Sequence, residues 1–264
     1  MKQVCKDLAE EHAALDTIVA DIEETAWKTP TPAEGWDIKD EIIHLAYFDD
    51  RARLAATDPE AFNNHLKESS KNVEGGMRQE ICNLRDMAIP KLLEWWRQER
   101  TSLVKALESF DPKFRVPWYG PSMSARSHAT ARLMETWGHG QDIVDALGVR
   151  RTPTDRLRNV AHIGFSTFGW SFSNHDMEVP EKPIRLELTS PSGEHWTWGP
   201  ETAENIVRGP AEDFCLVAIQ RRNVADTAIV TEGEIASKWM SISQAFAGPG
   251  TIGPKPGSFS KNGT

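Results

Sequence analysis

The sequence predicts an α+β protein, with an antiparallel four-helix bundle in residues 1–150 followed by a small α+β domain. Two observations support this prediction. Apolar residues recur at helical spacing in four segments before residue 150, whereas beyond Pro183 the apolar period falls to two. The second domain, with its linker helix, is predicted over residues 151–246. The tail, 247–264, is predicted to be disordered because it contains five glycines and three prolines.

Four amphipathic helices of this length fit the predicted antiparallel bundle. Asp37 is the predicted N-cap of the second helix, and Gly148 ends the fourth. The predicted helices cover about 3–24, from 38 onwards, 84–108 and 127–147. Polar residues predict connections at 57–76 and 111–125. The second domain is predicted to contain a helix at 153–172, strands at 184–188, 195–198 and 227–231, and helices at 200–208, 211–222 and 233–246.

Composition excludes several classes of partner. The formal net charge is −9, so the chain would repel a phosphate backbone and nucleic acid is not an expected partner. No stretch reaches the ~18 apolar residues that a membrane span requires, and the N-terminus lacks the apolar core of a signal peptide. Three scattered cysteines predict a reducing cytoplasm rather than a disulfide framework. A homodimer is compatible with such a bundle, although no residue pattern requires one.

The fourth predicted helix carries a candidate metal-binding pair, Glu135 and His139. Residues four apart lie one above the other on a helix, so the two side chains can share a ligand. Asp142 falls on the same stripe, either as a fourth ligand or, as we favour, as an acceptor that orients an imidazole N–H. A carboxylate and an imidazole suit a divalent transition metal.

His44, at the border of the apolar stripe of the second helix, is the predicted third ligand. Two histidines and one carboxylate leave coordination positions open, which is typical of a catalytic site. The E-x-x-x-H spacing alone is weak evidence, because it often occurs by chance on helix surfaces. Gly138 and Gly140 flank His139 and indicate either a close approach to the backbone or tight helix packing. Arg132, three residues before Glu135, is expected on a solvated helix face, with an outer contact to the metal site as the alternative.

Two motifs carry a resemblance to a known family. Residues 35–40 and His44 resemble the GW-x-x-x-D-x-x-x-H-L opening of the DinB-like family, which includes the mycothiol-dependent maleylpyruvate isomerases and thiol transferases. Residues 135–142 resemble its second ligand motif, and the loop 116–121 extends the match to an uncharacterised branch. The resemblance maps a His, Glu, His metal triad onto His44, Glu135 and His139. Residues 183–246 resemble the sterol-carrier-like domain of these isomerases.

The resemblance implies a divalent metal, with zinc as the default and nickel, iron or manganese as alternatives. It also implies a low-molecular-weight thiol cosubstrate, mycothiol or glutathione-like, and a small substrate that carries a carboxylate. Isomerases of this family use an arginine from the C-terminal domain, and either Arg221 or Arg222 occupies a comparable place. Trp118, Tyr119 and Met123 precede the ligand helix and are the predicted pocket wall, with a packed capping loop as the alternative.

Three functions are compatible with these candidate ligands and motifs. The first is a metal-dependent, thiol-using isomerase or transferase, in which the metal would favour the thiolate form of the thiol. The second is a metal hydrolase, in which the same ligands would hold water instead of thiol. The third is a non-enzymatic protein that binds an apolar ligand in its C-terminal domain and needs no metal.

Overall fold

A computed structural model describes residues 1–71 and 76–259, with the backbone alone for 70, 71 and 76–79. The chain forms two compact units that divide after Arg151. The first is helical and the second contains a four-stranded sheet, so the predicted α+β class is confirmed. None of the helices in the described ranges is long and apolar enough to cross a membrane.

Four long helices form the centre of the first unit. Helix α1 packs against α5 and α6, and α2 packs against the same two helices. Their antiparallel arrangement as a bundle stays a prediction. The core contains fully buried Leu15, Ile38, Ile42, Leu45 and Trp96. The bounds of these helices are α1 Lys2–Val19, α2 Ile38–Thr57, α5 Ile89–Glu108 and α6 Ala125–Leu147.

Local signals set the ends of the two helices that carry the candidate ligands. Asp37 caps α2 as predicted: its side chain accepts from the Asp40 N–H, and the Asp40 side chain accepts from the Asp37 N–H. The Ser124 hydroxyl accepts from the Ser127 N–H at the start of α6. Gly148 ends α6 in the left-handed region, with φ of +64°, where glycine has no Cβ to clash.

The predicted connection at 57–76 is wrong in its first part, because helix α3 covers Pro59–Lys71 and α4 covers Gly76–Asn83. Asp58 accepts from the Ala61 N–H and Pro59 occupies the first turn, two signals of a helix start. Phe62 is fully buried and gives α3 its contact with the core. The loop at 111–125 contains a short antiparallel hairpin, β1 Arg115–Val116 and β2 Met123–Ser124.

The second unit is built on a sheet with strand order β4-β3-β5-β6. Strands β3 (Ile184–Thr189) and β4 (His195–Trp198) form the predicted hairpin, with Leu186 and Leu188 buried. The predicted helix at 200–208 is wrong: β5 (Asn205–Pro210) runs parallel to β3. Asn205 and Val207 are buried while Ile206 and Arg208 are partly exposed, which is the two-residue period of a strand. Strand β6 covers Val230–Glu232.

The helices of the second unit pack around Trp239, whose ring contacts Phe165, Phe168 and Phe214. The single helix predicted at 153–172 is two helices that meet at Thr167, and the other two predicted helices are shorter than expected. The bounds are α7 Leu157–Ser166, α8 Phe168–Ser173, α9 Ala211–Ala218 and α10 Glu234–Ile242.

The expected disorder of the tail does not extend to its described part. Gln220 bonds to Thr251, Asn223 to the Pro254 carbonyl and the Gly257 N–H to Asp226. These contacts attach residues 251–257 to the second unit. Residues 260–264 lie outside the described ranges.

Candidate metal centre

Helices α2 and α6 bring the three predicted ligands together in the first unit. The His44 Nε2 lies 3.5 Å from the Glu135 Oε2, and the His139 Nε2 lies 3.3 Å from the same oxygen. The two imidazole centroids are 4.2 Å apart. One ligand atom from each side chain lies within 4.8 Å of the other two. The side chains are mostly buried, with exposed fractions of 17% for His44, 26% for Glu135 and 12% for His139.

The second imidazole nitrogen of His139 contacts a carboxylate that the sequence did not single out. His139 Nδ1 lies 2.6 Å from Glu41 Oε2, and Glu41 is fully buried. The role predicted for Asp142, to orient an imidazole N–H, stays a prediction, and on His139 Nδ1 the structure shows Glu41 as a partner. A carboxylate oxygen of Asp142 lies within 4.8 Å of ligand atoms from both Glu41 and His139, so Asp142 belongs to the same buried group.

A sequence signal for Glu41 exists. Ile38, Glu41, Ile42 and Leu45 follow helical spacing on one stripe, and Glu41 is the charged position among apolar ones. Its place in the first turn offers an alternative explanation, because carboxylates are favourable at helix N-termini. Because this explanation accounts for a carboxylate at position 41 without any partner, the sequence did not predict the contact of Glu41 with α6.

Aromatic rings flank both imidazoles. Trp36 stacks on His139 at 5.9 Å between centroids and 14° between planes, and it lies 5.3 Å from His44. Phe48, one turn after His44, lies 4.6 Å from that imidazole. These rings place apolar surface beside the two imidazoles, and apolar surroundings strengthen electrostatic interactions among polar groups.

The predicted pocket loop connects to the triad through Phe48. Trp118 and Tyr119 lie 6.3 and 5.8 Å from the Phe48 ring, centroid to centroid. Trp118 also stacks on Phe62 of α3, at 5.8 Å. Met123 lies half-buried in β2, opposite Val116. Trp118 and Tyr119 therefore lie near the ring that packs beside His44.

At Gly140 the structure shows a close approach to the backbone. A Cβ there would lie 2.8 Å from the Arg151 guanidinium, whereas its distance to Leu15 of α1, 3.5 Å, is that of an ordinary contact. The expectation for Arg132 is wrong, because its side chain is buried and donates to Asp49 at 3.0 Å. Asp49 also lies 3.4 Å from His12 of α1, so this buried group connects α1 with the two helices that carry the triad.

Arg221 and Arg222 follow α9 in the second unit, where both backbone N–H groups donate to the Leu216 carbonyl. The Arg222 guanidinium lies 4.2 Å from the centre of the Phe259 ring. Both of these contacts are with residues of the second unit. Their role toward a substrate stays a prediction.

The two imidazoles differ in their electrostatic surroundings. Burial, and after it the neighbouring His139, lowers the pKa of His44 to about 4. Burial also disfavours the charged form of His139, but its interactions with the Glu135 and Glu41 carboxylates outweigh this and raise the pKa to about 9. Burial opposes ionisation of Glu135, yet the two imidazoles hold its pKa well below the usual range. The carboxylates of Glu135 and Glu41 thus favour a positive charge between the two imidazoles and Glu135.

Comparison with known proteins identifies the family. Residues 8–144 match the model of the mycothiol maleylpyruvate isomerase N-terminal domain family. The chain belongs to this family. The match confirms the resemblance seen in the ligand motifs. Residues 180–232 match a second family model, described as wyosine base formation. The sterol-carrier-like resemblance of that region stays a prediction.

Relatives and solved structures agree with this membership. The chain is 42% identical over 243 residues to uncharacterized proteins from two strains of Mycobacterium tuberculosis, covering 92% of this chain and 95% of each relative. Crystal structures of the mycothiol-dependent maleylpyruvate isomerase and of a histidine-to-alanine mutant share its fold. Each has a TM-score of 0.55 at 17% identity, over 87% of this chain and 92% of the solved one.

The two imidazoles should titrate far apart in the metal-free protein. We expect NMR of chelator-treated protein to give a pKa near 9 for His139 and near 4 for His44. Substitution Glu135→Gln should lower the pKa of His139, because it removes one of the two carboxylates that favour the charged ring. A wild-type His139 that titrates at or below pH 6.5 would contradict this electrostatic account.

Proposed function

We propose that this member of the mycothiol maleylpyruvate isomerase N-terminal domain family is a divalent-metal-dependent enzyme. It uses a low-molecular-weight thiol, of the mycothiol or glutathione-like class, to isomerise a small carboxylate-bearing substrate or to transfer a group to or from it. The observation that carries the proposal is the meeting of His44, Glu135 and His139 from two helices.

The donor atoms fit one shared cation. Ligands that each lie about 2.0–2.2 Å from a tetrahedral zinc ion are separated from one another by about 3.4 Å. The two imidazole nitrogens lie 3.3 and 3.5 Å from the Glu135 oxygen, longer than good hydrogen bonds and close to this separation. His44 Nε2 is buried and has no hydrogen-bond partner among the described residues, so a cation would satisfy it.

Zinc is the metal we propose, because two imidazoles and one carboxylate are a common catalytic zinc set. Three protein ligands leave a position for an exogenous group. A divalent metal held by these ligands would lower the pKa of a thiol bound at the open position and so supply thiolate near neutral pH. The matched family is named after mycothiol and the isomerase of similar fold is mycothiol-dependent, which supports a thiol as that group.

Side chains of the first unit would define the space beside the ligands. Trp36 and Phe48 limit the approach of water to the two imidazoles. Trp118 and Tyr119, with Met123 further along the loop, would contact the thiol or the apolar part of the substrate. Arg221 or Arg222 would bind a substrate carboxylate and hold the reacting carbon near the sulfur.

Metal content tests the ligand set. Wild-type protein, purified without chelator, should contain about one divalent metal per chain by elemental analysis, and His139→Ala should lose it because one of three ligands is removed. His195→Ala is the matched control, since His195 is exposed on β4 in the second unit, and it should retain the metal. Equal metal in wild type and His139→Ala would refute the site.

Thiol dependence separates the proposed enzyme from a hydrolase. We expect the metal-loaded protein to convert small carboxylates with an activated double bond, maleylpyruvate among them, only when mycothiol or glutathione is added. Turnover without added thiol would indicate the hydrolase. If there is no turnover, and if His44→Ala and His139→Ala both still bind an apolar ligand as wild type does, the chain is a non-enzymatic binding protein.

The arginine pair can be tested by substrate affinity. Removing a charge-assisted bond to a carboxylate costs about 1.5–3 kcal/mol, so Arg221→Ala or Arg222→Ala should raise the KM for the carboxylate about tenfold or more. Arg185→Ala, on β3 beside Glu187, is the control and should leave KM unchanged. Unchanged KM in both arginine variants would exclude a carboxylate-binding role for this pair.

A further inference from the structure

Glu41 lies behind His139, on the side away from the other two candidate ligands. Its Oε2 lies 2.6 Å from the His139 Nδ1, and its Oε1 accepts from the Thr31 hydroxyl at 2.7 Å. The residue is fully buried on α2, and His139 is on α6. Both carboxylate oxygens of Glu41 therefore have a fixed partner.

We propose that Glu41 is a positioning residue for the metal site, acting through His139; the inference rests on the proposed function. The bond to Glu41 keeps the proton of a neutral His139 on Nδ1. The lone pair of Nε2 then points to the side where Glu135 Oε2 lies, 3.3 Å away. A carboxylate acceptor on the far nitrogen also increases the basicity of a metal-binding imidazole.

Contacts around Glu41 restrict the imidazole in a second way. Thr31 belongs to the loop between α1 and α2, and its N–H donates to the Trp36 carbonyl at 2.9 Å. The ring of Trp36 stacks on His139. Glu41 and Trp36 thus hold the same imidazole at its edge and on its face, which fixes the plane of the ring as well as its tautomer.

A purely structural ion pair is the competing explanation, and zinc affinity distinguishes the two. We expect Glu41→Gln to weaken zinc binding about 10–100-fold, because it keeps the shape of the side chain but removes its charge. Glu41→Ala should weaken it at least as much. The measurement is the zinc Kd by competition with a chromophoric chelator, with thermal unfolding of the metal-free protein in parallel.

Glu99→Gln is the matched control. Glu99 is a buried carboxylate on α5 that bonds to Arg53, so the same chemical change there should leave the zinc Kd unchanged. Glu41→Asp, which retains the charge, should recover part of the affinity lost in Glu41→Ala.

The outcomes separate this inference from the proposed function. If wild type binds zinc and both Glu41 variants bind it equally well, the inference is wrong and the proposed function stands. The same holds if Glu41→Gln only lowers the unfolding temperature. A wild-type chain that binds no zinc overturns both. If Glu41→Gln does not fold, Thr31→Val replaces it: a weaker zinc affinity supports the inference, and an unchanged one overturns it.

Discussion

The packing of α2 against α6 is the constraint on which the candidate site depends. His44 and Glu41 come from α2, whereas Glu135 and His139 come from α6. No local property of either helix brings these groups together. Their contact follows from burial of the apolar stripes, in which Ile38, Ile42 and Leu45 of α2 lie in one core cluster with Ile143 of α6. A core of ordinary hydrophobic residues thus sets the distances between the polar ones.

Charged groups inside the first unit oppose folding unless they are paired. Burial of an unpaired charge is costly, and each buried charge of this unit that bears on the site has a partner. Glu41 contacts His139, and Asp49 contacts Arg132 and His12. Burial favours the neutral form of Asp49, but Arg132 and His12 outweigh it and lower its pKa. His44 Nε2, like His12 Nε2 and Asp49 Oδ2, is buried without a hydrogen bond within the described residues, and the oxygen nearest to it in an ion-pair contact is Glu135 Oε2 at 3.5 Å.

The sequence predicted the candidate triad from two side chains one turn apart and a third at the border of an apolar stripe, together with the resemblance of both motifs to a known family. The role of Glu41 could not be predicted from the sequence, because its partner His139 lies 98 residues away. Helix α3 was missed because its central residues are polar, although Asp58 and Pro59 marked its start. Strand β5 was missed because its pairing with β3 is not encoded locally. Local sequence patterns predicted most helices and strands and the three candidate ligands. The contacts of Glu41 and of β5 depend on tertiary packing, which those patterns do not encode.

Anomalous X-ray diffraction from zinc-loaded crystals tests the central claim most directly, because it locates the metal without assuming its ligands. The account predicts a single strong peak at about 2.0–2.2 Å from His44 Nε2, His139 Nε2 and a Glu135 oxygen, with at least one further position open to an exogenous ligand. A peak elsewhere in the first unit, or one that the imidazole from α2 does not reach, would contradict it.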